Sequence, residues 1–159
     1  MRNLIFIISL CFSAVCFGQV DGRGVICERE DTDGSTIFET YLFESNLVTN
    51  KKFSRSNDSY SIREERDIDT FQTTSSEIFW FEKKFIYIPP DQLLKYAEVK
   101  HTLSRKTGEL VFTASEYPSY INRFTCRVFA DIDSYNSEMN RIRDSLQEEY
   151  DKEREGNLL

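Results

Sequence analysis

The sequence predicts a mainly β protein, with seven or eight antiparallel strands in a meander or small barrel followed by an amphipathic α-helix. Three observations lead to this prediction. Segments rich in Phe, Tyr, Ile and Val recur between residues 20 and 130, and runs of Asp, Gly, Ser and Asn separate them. After Ala130 the apolar residues recur at helical spacing. Two cysteines near the ends of the β region favour a closed barrel, while a β-sandwich stays open as an alternative.

The first eighteen residues have the layout of a secretory signal peptide. Arg2 supplies a positive charge, an apolar run follows from Leu4 to Phe17, and small residues fit cleavage after Gly18 or after Cys16. The run is shorter than the roughly 20 residues that a membrane-spanning helix needs. An uncleaved N-terminal anchor is the alternative. We therefore expect a secreted or periplasmic protein.

The β region opens with a predicted hairpin. Residues 24–30 and 36–44 form its strands, and the Asp-Gly pair in DTDGS provides the tight turn, because glycine adopts positive φ freely. A second hairpin is predicted over 100–114, with Gly108 of the RKTG turn in the left-handed conformation.

Four further strands are predicted between and after these hairpins, over 47–53, 59–69, 78–88 and 120–130. The heavily charged segment 59–69 is expected at an edge of the sheet. Residues 89–99 begin with two prolines, which the interior of a sheet does not tolerate. They are expected to form either a helical turn near Asp91–Tyr96 or an extended crossing.

Cys27 lies in the first predicted strand and Cys126 in the last. They are the two cysteines that remain after signal cleavage, and exported proteins rarely keep free thiols, so they predict a disulfide. Two separate buried thiols are the alternative. A disulfide needs its two Cα atoms within about 7 Å, so the first and last strands must be neighbours, as at the seam of an up-and-down barrel.

The C-terminal segment predicts one helix with a single apolar stripe. The stripe residues step by three or four positions: Ile132, Tyr135, Met139, Ile142, Leu146 and Tyr150. Asp131 or Asp133 caps the start, and Gly156 ends the helix. A helix laid on the barrel or across its mouth is favoured over a partner-binding or dimerising helix, since two heptads are too few for a coiled coil.

This outline of eight strands and then a helix is similar to that of lipocalin-like barrels. The resemblance is one of architecture only. The Gly-x-Trp signature of that family is missing, and the single tryptophan, Trp80, follows Phe79 in the middle of the chain. The chain is therefore assigned to no family.

An aromatic cluster in the segment 78–88 is the best candidate for a ligand site. Phe79, Trp80, Phe81 and Tyr87 place large rings on both faces of one strand. One face must belong to the core. The other is either covered by the acidic C-terminal helix, which is favoured, or a platform for a ligand.

Catalytic groups are few, and no catalytic residue is assigned. His101 is the only histidine, and Ser104 points to the opposite face of the same strand, so His101 is expected to be an ordinary strand residue. Carboxylates gather in REERDID, where Glu64 or Asp67 would serve as the acid or base of a hydrolase. Such a run is more often a solvated face that protects an edge strand.

The charge and the missing motifs exclude several classes of partner. The net charge of −7 repels nucleic acids and anionic membrane surfaces, so neither is an expected partner. The segment DTDGS lacks the spacing of a calcium loop, and the sequence has no zinc-type Cys/His spacing and no phosphate-binding glycine loop. No metal or cofactor is expected.

Together these features predict a non-enzymatic binding module whose partner is a small apolar ligand or a protein. A carboxylate-based hydrolase and a structural envelope protein are the alternatives. The predicted organisation is a signal peptide over 1–18, a β domain over 19–130, and a helix with a short tail over 131–159.

Overall fold

The structure is a computed structural model that describes residues 20–89 and 93–156, without the side chains of residues 66–69. The predicted signal peptide lies outside the described residues. The described elements are β1 (Arg23–Glu30), β2 (Thr36–Glu44), β3 (Leu47–Ser56), β4 (Ser59–Thr70), β5 (Gln72–Thr73), β6 (Glu77–Ile88), β7 (Leu93–Ser104), β8 (Glu109–Ala114), β9 (Tyr117–Phe129) and α1 (Ile132–Gly156).

The nine described strands form one antiparallel sheet in the order β4-β3-β2-β1-β9-β8-β7-β6-β5, curled into a half-barrel. The mainly β, antiparallel fold with a C-terminal helix is thus confirmed, with nine strands instead of seven or eight. The predicted adjacency of the first and last strands is also confirmed, since β1 pairs with β9. These strands lie in the middle of the sheet, however, and do not close it. The edges are the charged strand β4, as expected, and the two-residue strand β5.

The predicted turns form where glycine or asparagine allows positive φ. Gly34 and Gly108 have φ values of 85° and 68°. Ser45 and Asn46 form a two-residue turn with φ values of 53° and 64°, which matches the right-handed twist of the flanking strands. Local sequence therefore sets the hairpin register.

Of the two alternatives for residues 89–99, the helical turn near 91–96 is wrong over its described part, and the chain from Leu93 onward is extended. Leu93 begins β7 and lies opposite Ile88 of β6, and the pairing continues through Lys95 and Tyr96. A long hairpin satisfies these backbone groups with cross-strand hydrogen bonds, so a helical turn is not needed. β6 ends at Ile88, just before Pro89, while residues 90–92 lie outside the description.

The inner, concave face of the half-barrel holds the main hydrophobic core. Alternate residues of the strands point into it, as strand geometry requires. Its buried members include Val25, Tyr41, Phe43, Trp80, Val99, Leu103, Leu110, Phe112 and Phe124.

Cys27 and Cys126 lie directly opposite each other on β1 and β9. Their sulfur atoms are 2.09 Å apart, the length of a disulfide bond, and the Cα atoms are 3.9 Å apart. Cys27 is fully buried in the inner core, and Cys126 packs against that core. The bridge joins strands that are 99 residues apart in sequence.

Helix α1 packs on the outer face of the sheet, over β1, β4 and β9. The backbone N–H of Ser134 donates to the Asp131 carboxylate at 2.7 Å, so Asp131 is the N-cap. The predicted stripe faces the sheet: Tyr135, Met139 and Ile142 are buried.

Gly24 of β1 decides where the helix docks. The Tyr135 ring lies against it so closely that a Cβ atom at position 24 would be 2.1 Å from the ring carbons. Only glycine leaves room for this contact. The fit of ring against bare backbone anchors the first turn of α1 on β1.

Candidate functional site

The four aromatic residues of the predicted ligand site divide between the two faces of β6, and on the outer face the rings of Phe79 and Phe81 meet edge to face with their centroids 6.3 Å apart. Trp80 is 3% exposed and belongs to the inner core, where its ring stacks on His101. Phe79, Phe81 and Tyr87 share the outer face of β6, and Tyr87 is 60% exposed. The expectation that α1 covers this face is wrong, because Gly24 and its neighbours dock the helix on the other half of the sheet.

A pocket of about 560 Å³ opens at one end of the half-barrel, and we name it the mouth pocket. The ends of β1, β2, β7 and β9, the start of β6 and two connecting loops surround it. Its apolar walls are Val20, Val25, Phe43, Ile78, Leu103 and Val128. Val128 lies opposite the buried Val25, yet it is 54% exposed, so the inner core is incompletely filled at this end.

Three cationic side chains line the mouth pocket: Arg23, Arg105 and Lys106. None of its lining residues carries a carboxylate. The β7–β8 turn positions Arg105, whose backbone N–H donates to the Ser76 carbonyl at 2.8 Å. The Arg105 Nε atom is buried and makes no hydrogen bond to any described residue. A buried guanidinium nitrogen without a partner is costly, so it favours an acceptor from a ligand.

Deeper in the half-barrel lies a set of contacting polar side chains, which we name the interior polar chain: Glu39, Tyr41, His101, Glu82 and Lys84. The Tyr41 hydroxyl donates to the Glu39 carboxylate at 3.0 Å and lies 3.3 Å from Nδ1 of His101. His101 Nε2 lies 3.0 Å from the Glu82 carboxylate, and Lys84 Nζ reaches the same oxygen at 2.8 Å. The curl of the sheet thus connects β2 with β6 and β7 through polar contacts.

Burial governs the protonation of this chain. Burial, with a contribution from the Lys84 ammonium, lowers the pKa of His101 to about 4, so the imidazole is neutral at pH 7. Burial alone would raise the pKa of Glu82, but His101 and Lys84 together outweigh it and lower that pKa to about 2. Burial and the Glu39 carboxylate raise the pKa of Tyr41 well above its usual value. Glu82 is therefore ionised and paired, which is how a charge is tolerated inside a protein.

The sequence assigned His101 the role of an ordinary strand residue, but the side chain is fully buried within this polar chain. A signal for it was present. Glu82 and Lys84 occupy the inward positions of an otherwise apolar alternation through Ile78, Trp80 and Ile86. Polar residues at core positions need partners, and the single histidine was an available one.

The carboxylates that a hydrolase would use are placed on an edge. Glu64 is exposed on β4 and lies opposite Lys51 of β3. The side chain of Asp67 lies outside the described residues. Glu39 and Glu82 belong to the interior polar chain, and neither lines the mouth pocket.

No three metal-ligating side chains gather within residues 20–89 and 93–156. In the same part of the chain, no helix is both long and apolar enough to cross a membrane. Comparison with known proteins adds no relationship: no family model, curated protein or solved structure matches the chain.

Proposed function

We propose that the protein is a non-enzymatic binding module, and that the mouth pocket takes a small apolar molecule carrying one anionic group. The observation that carries the proposal is the combination of apolar walls with three cationic side chains at one opening. Its volume of about 560 Å³ lies within the ~300–1,000 Å³ typical of small-molecule sites.

The walls account for the apolar part of the ligand. Val128 is 54% exposed, while Phe43 and Leu103 lie below it with at most 2% exposure. When a ligand covers such a surface, the binding free energy becomes more favourable by roughly 25 cal/mol for each Å² of apolar area removed from water. An alkyl chain or a small ring system fits this environment.

The rim accounts for the anionic part. Arg105 brings a planar guanidinium with an unused buried Nε, and Arg23 and Lys106 add positive charge near the same opening. Guanidinium groups bind carboxylates and phosphates in a bidentate manner. The chain as a whole is acidic, at −7, so a cationic rim at a single pocket favours a specific role over a general one.

We also infer that the protein acts outside the cytosol. The support is the pair Cys27–Cys126 at bonding distance, because disulfides persist in oxidising compartments. A carboxylate-based hydrolase is less well supported, since the exposed Glu64 lies on an edge strand and Glu82 is held in an ion pair. A structural envelope role has no feature of its own that favours it over binding.

The test compares decanoate with decanol, two probes that share an alkyl chain and differ in charge. Each probe competes with dansyl-labelled undecanoic acid for binding to the protein in the form that the cell exports. We expect saturable binding of decanoate, with decanol at least tenfold weaker, because a charge-assisted hydrogen bond contributes about 1.5–3 kcal/mol. The Arg105→Gln variant should weaken decanoate about tenfold and leave decanol unchanged.

The matched control is Arg143→Gln, which removes an arginine from α1, away from the pocket. It should change neither affinity. Equal affinities for the two probes would reject the cationic recognition. Absence of saturable binding of both probes would reject the pocket as a ligand site.

A further inference from the structure

Two neighbouring turns, β5–β6 and β7–β8, form one side of the mouth pocket. The Arg105 N–H donates to the Ser76 carbonyl at 2.8 Å and joins the two turns. The Gly108 carbonyl accepts from the Cys126 N–H at 2.8 Å, which fixes the β7–β8 turn to β9 as well. Because this part of the rim is held from both sides, its backbone needs little rearrangement when a ligand binds.

The positive charges at this opening are not neutralised by the protein. Arg23, Arg105 and Lys106 form no ion pair with any carboxylate in the described part of the chain. Elsewhere on the sheet a cation is paired, as Arg123 is with Glu109 at 3.0 Å. Like charges that share one opening repel each other, and an anion between them relieves that repulsion. The opening is therefore suited to a ligand group that carries more than one negative charge.

Serine hydroxyls add hydrogen-bond donors beside these charges. Ser75, Ser76 and Ser104 line the same pocket. The Ser104 hydroxyl oxygen accepts from the Thr107 N–H at 3.2 Å, which leaves its own proton free to be donated to a ligand. A group with three terminal oxygens, such as a phosphate monoester, accepts hydrogen bonds from more of these donors at once than a carboxylate with two.

The apolar walls favour an organic phosphate over free inorganic phosphate. Phe43, Leu103 and Val128 line the same pocket as the cationic side chains. Inorganic phosphate would leave this apolar surface in contact with water, whereas an alkyl phosphate covers it. Charge and walls together select an amphiphile with a phosphate at one end.

We propose that the anionic group recognised by the mouth pocket is the dianion of a phosphate monoester, carried on an alkyl chain or a small ring. This inference rests on the proposed function and names the class of its ligand. A phosphate monoester carries a charge of about −1.5 to −2 at pH 7. The Arg105 guanidinium can bind two of its oxygens at once, and Arg23 and Lys106 balance the second charge.

The test is isothermal titration calorimetry of the exported form of the protein with four probes: decyl phosphate, decyl sulfate, decanoate and inorganic phosphate. Decyl sulfate is tetrahedral but carries a single charge, so it separates charge from shape. At about pH 8, where decyl phosphate is a dianion, we expect it to bind about tenfold more tightly than decyl sulfate or decanoate. Inorganic phosphate should bind about a hundredfold more weakly than decyl phosphate, because it covers none of the apolar walls.

A variant tests whether the second charge is read by the rim. Lys106→Gln should weaken decyl phosphate about tenfold and decanoate by about threefold or less, because decanoate lacks the second charge. Lys95→Gln is the matched control, since Lys95 is exposed near the opposite end of β7, and it should change neither affinity.

The outcomes separate this inference from the proposed function. If decyl sulfate or decanoate binds as tightly as decyl phosphate, the phosphate assignment is overturned while the binding module stands. Inorganic phosphate that binds as tightly as decyl phosphate, or a Lys106→Gln variant that weakens both alkyl ligands equally, would also overturn it. If none of the four probes binds, the mouth pocket is not a ligand site, and both proposals fail.

Discussion

The contact of Gly24 with Tyr135 predicts that Gly24→Ala destabilises the protein as it stands and stabilises it once the Tyr135 ring has been removed. Replacing Gly24 with alanine puts a Cβ atom 2.1 Å from two carbons of the Tyr135 ring. Ordinary carbon contacts are about 3.5–4.0 Å, so the ring and the first turn of α1 must move by more than 1 Å. We expect Gly24→Ala to destabilise the protein.

The magnitude is a difference between two effects. Overpacking of a core contact costs about 1–3 kcal/mol. Replacement of glycine by alanine also restricts the unfolded chain, which stabilises the protein by about 0.4–1 kcal/mol. The net loss should be about 1–2 kcal/mol. Tyr135 is fully buried, so Tyr135→Ala alone should cost about 3–5 kcal/mol.

In the Tyr135→Ala background the clash is gone, and Gly24→Ala should become stabilising by roughly 0.5–1 kcal/mol. Urea unfolding of the four proteins of this double-mutant cycle measures the coupling, and fluorescence of the single buried Trp80 reports unfolding. Gly156→Ala is the control, since nothing lies within 4 Å of its Cβ position. The same effect of Gly24→Ala in both backgrounds would refute the proposed anchoring of the helix.

Three further outcomes are expected. Reduction of the Cys27–Cys126 bridge, which spans 99 residues, should lower the free energy of unfolding by roughly 4–5 kcal/mol. Thermal melts with and without reductant measure this loss of stability, and equal melting temperatures after verified reduction would contradict the prediction. Burial lowers the pKa of His101 from its usual 6.5 to about 4 in the folded protein, so its contribution to the free energy of unfolding, on the order of 3 kcal/mol, is complete above pH 6.5 and is lost as the pH falls through 4. Urea titrations at several pH values should show a smaller acid-induced loss of stability for His101→Gln, and equal losses would reject the neutral buried imidazole. Intact mass of the exported protein should correspond to cleavage after Gly18 or Cys16, whereas the mass of the whole chain would reject the signal peptide.

Much of the fold was predictable because its signals are local. The turns around Gly34 and Gly108 need positive φ, which the glycines provide within four or five residues of sequence. The helix start depends on Asp131, three residues from the amide that it caps. Interactions over such short separations leave their pattern directly in the sequence.

The position of the helix was not predictable in the same way. The acidic helix was expected over the aromatic face of β6, yet it lies over β1, β4 and β9. Nothing in the helix stripe itself selects one half of the sheet. The choice depends on the bare backbone of Gly24, more than 100 residues before Tyr135.

The sequence by itself determined most of the strands and their turns, the apolar stripe of the helix and the pair of cysteines that joins β1 to β9, but not β5 or the first half of β7. Only the tertiary structure decided that the sheet stays open as a half-barrel, that Arg23 and Arg105 meet around one apolar pocket, and that His101 lies between Tyr41 and Glu82. The physical reason is that alternation along a strand shows which face a side chain occupies. Which side chains meet across the interior depends on the curl and register of strands far apart in sequence.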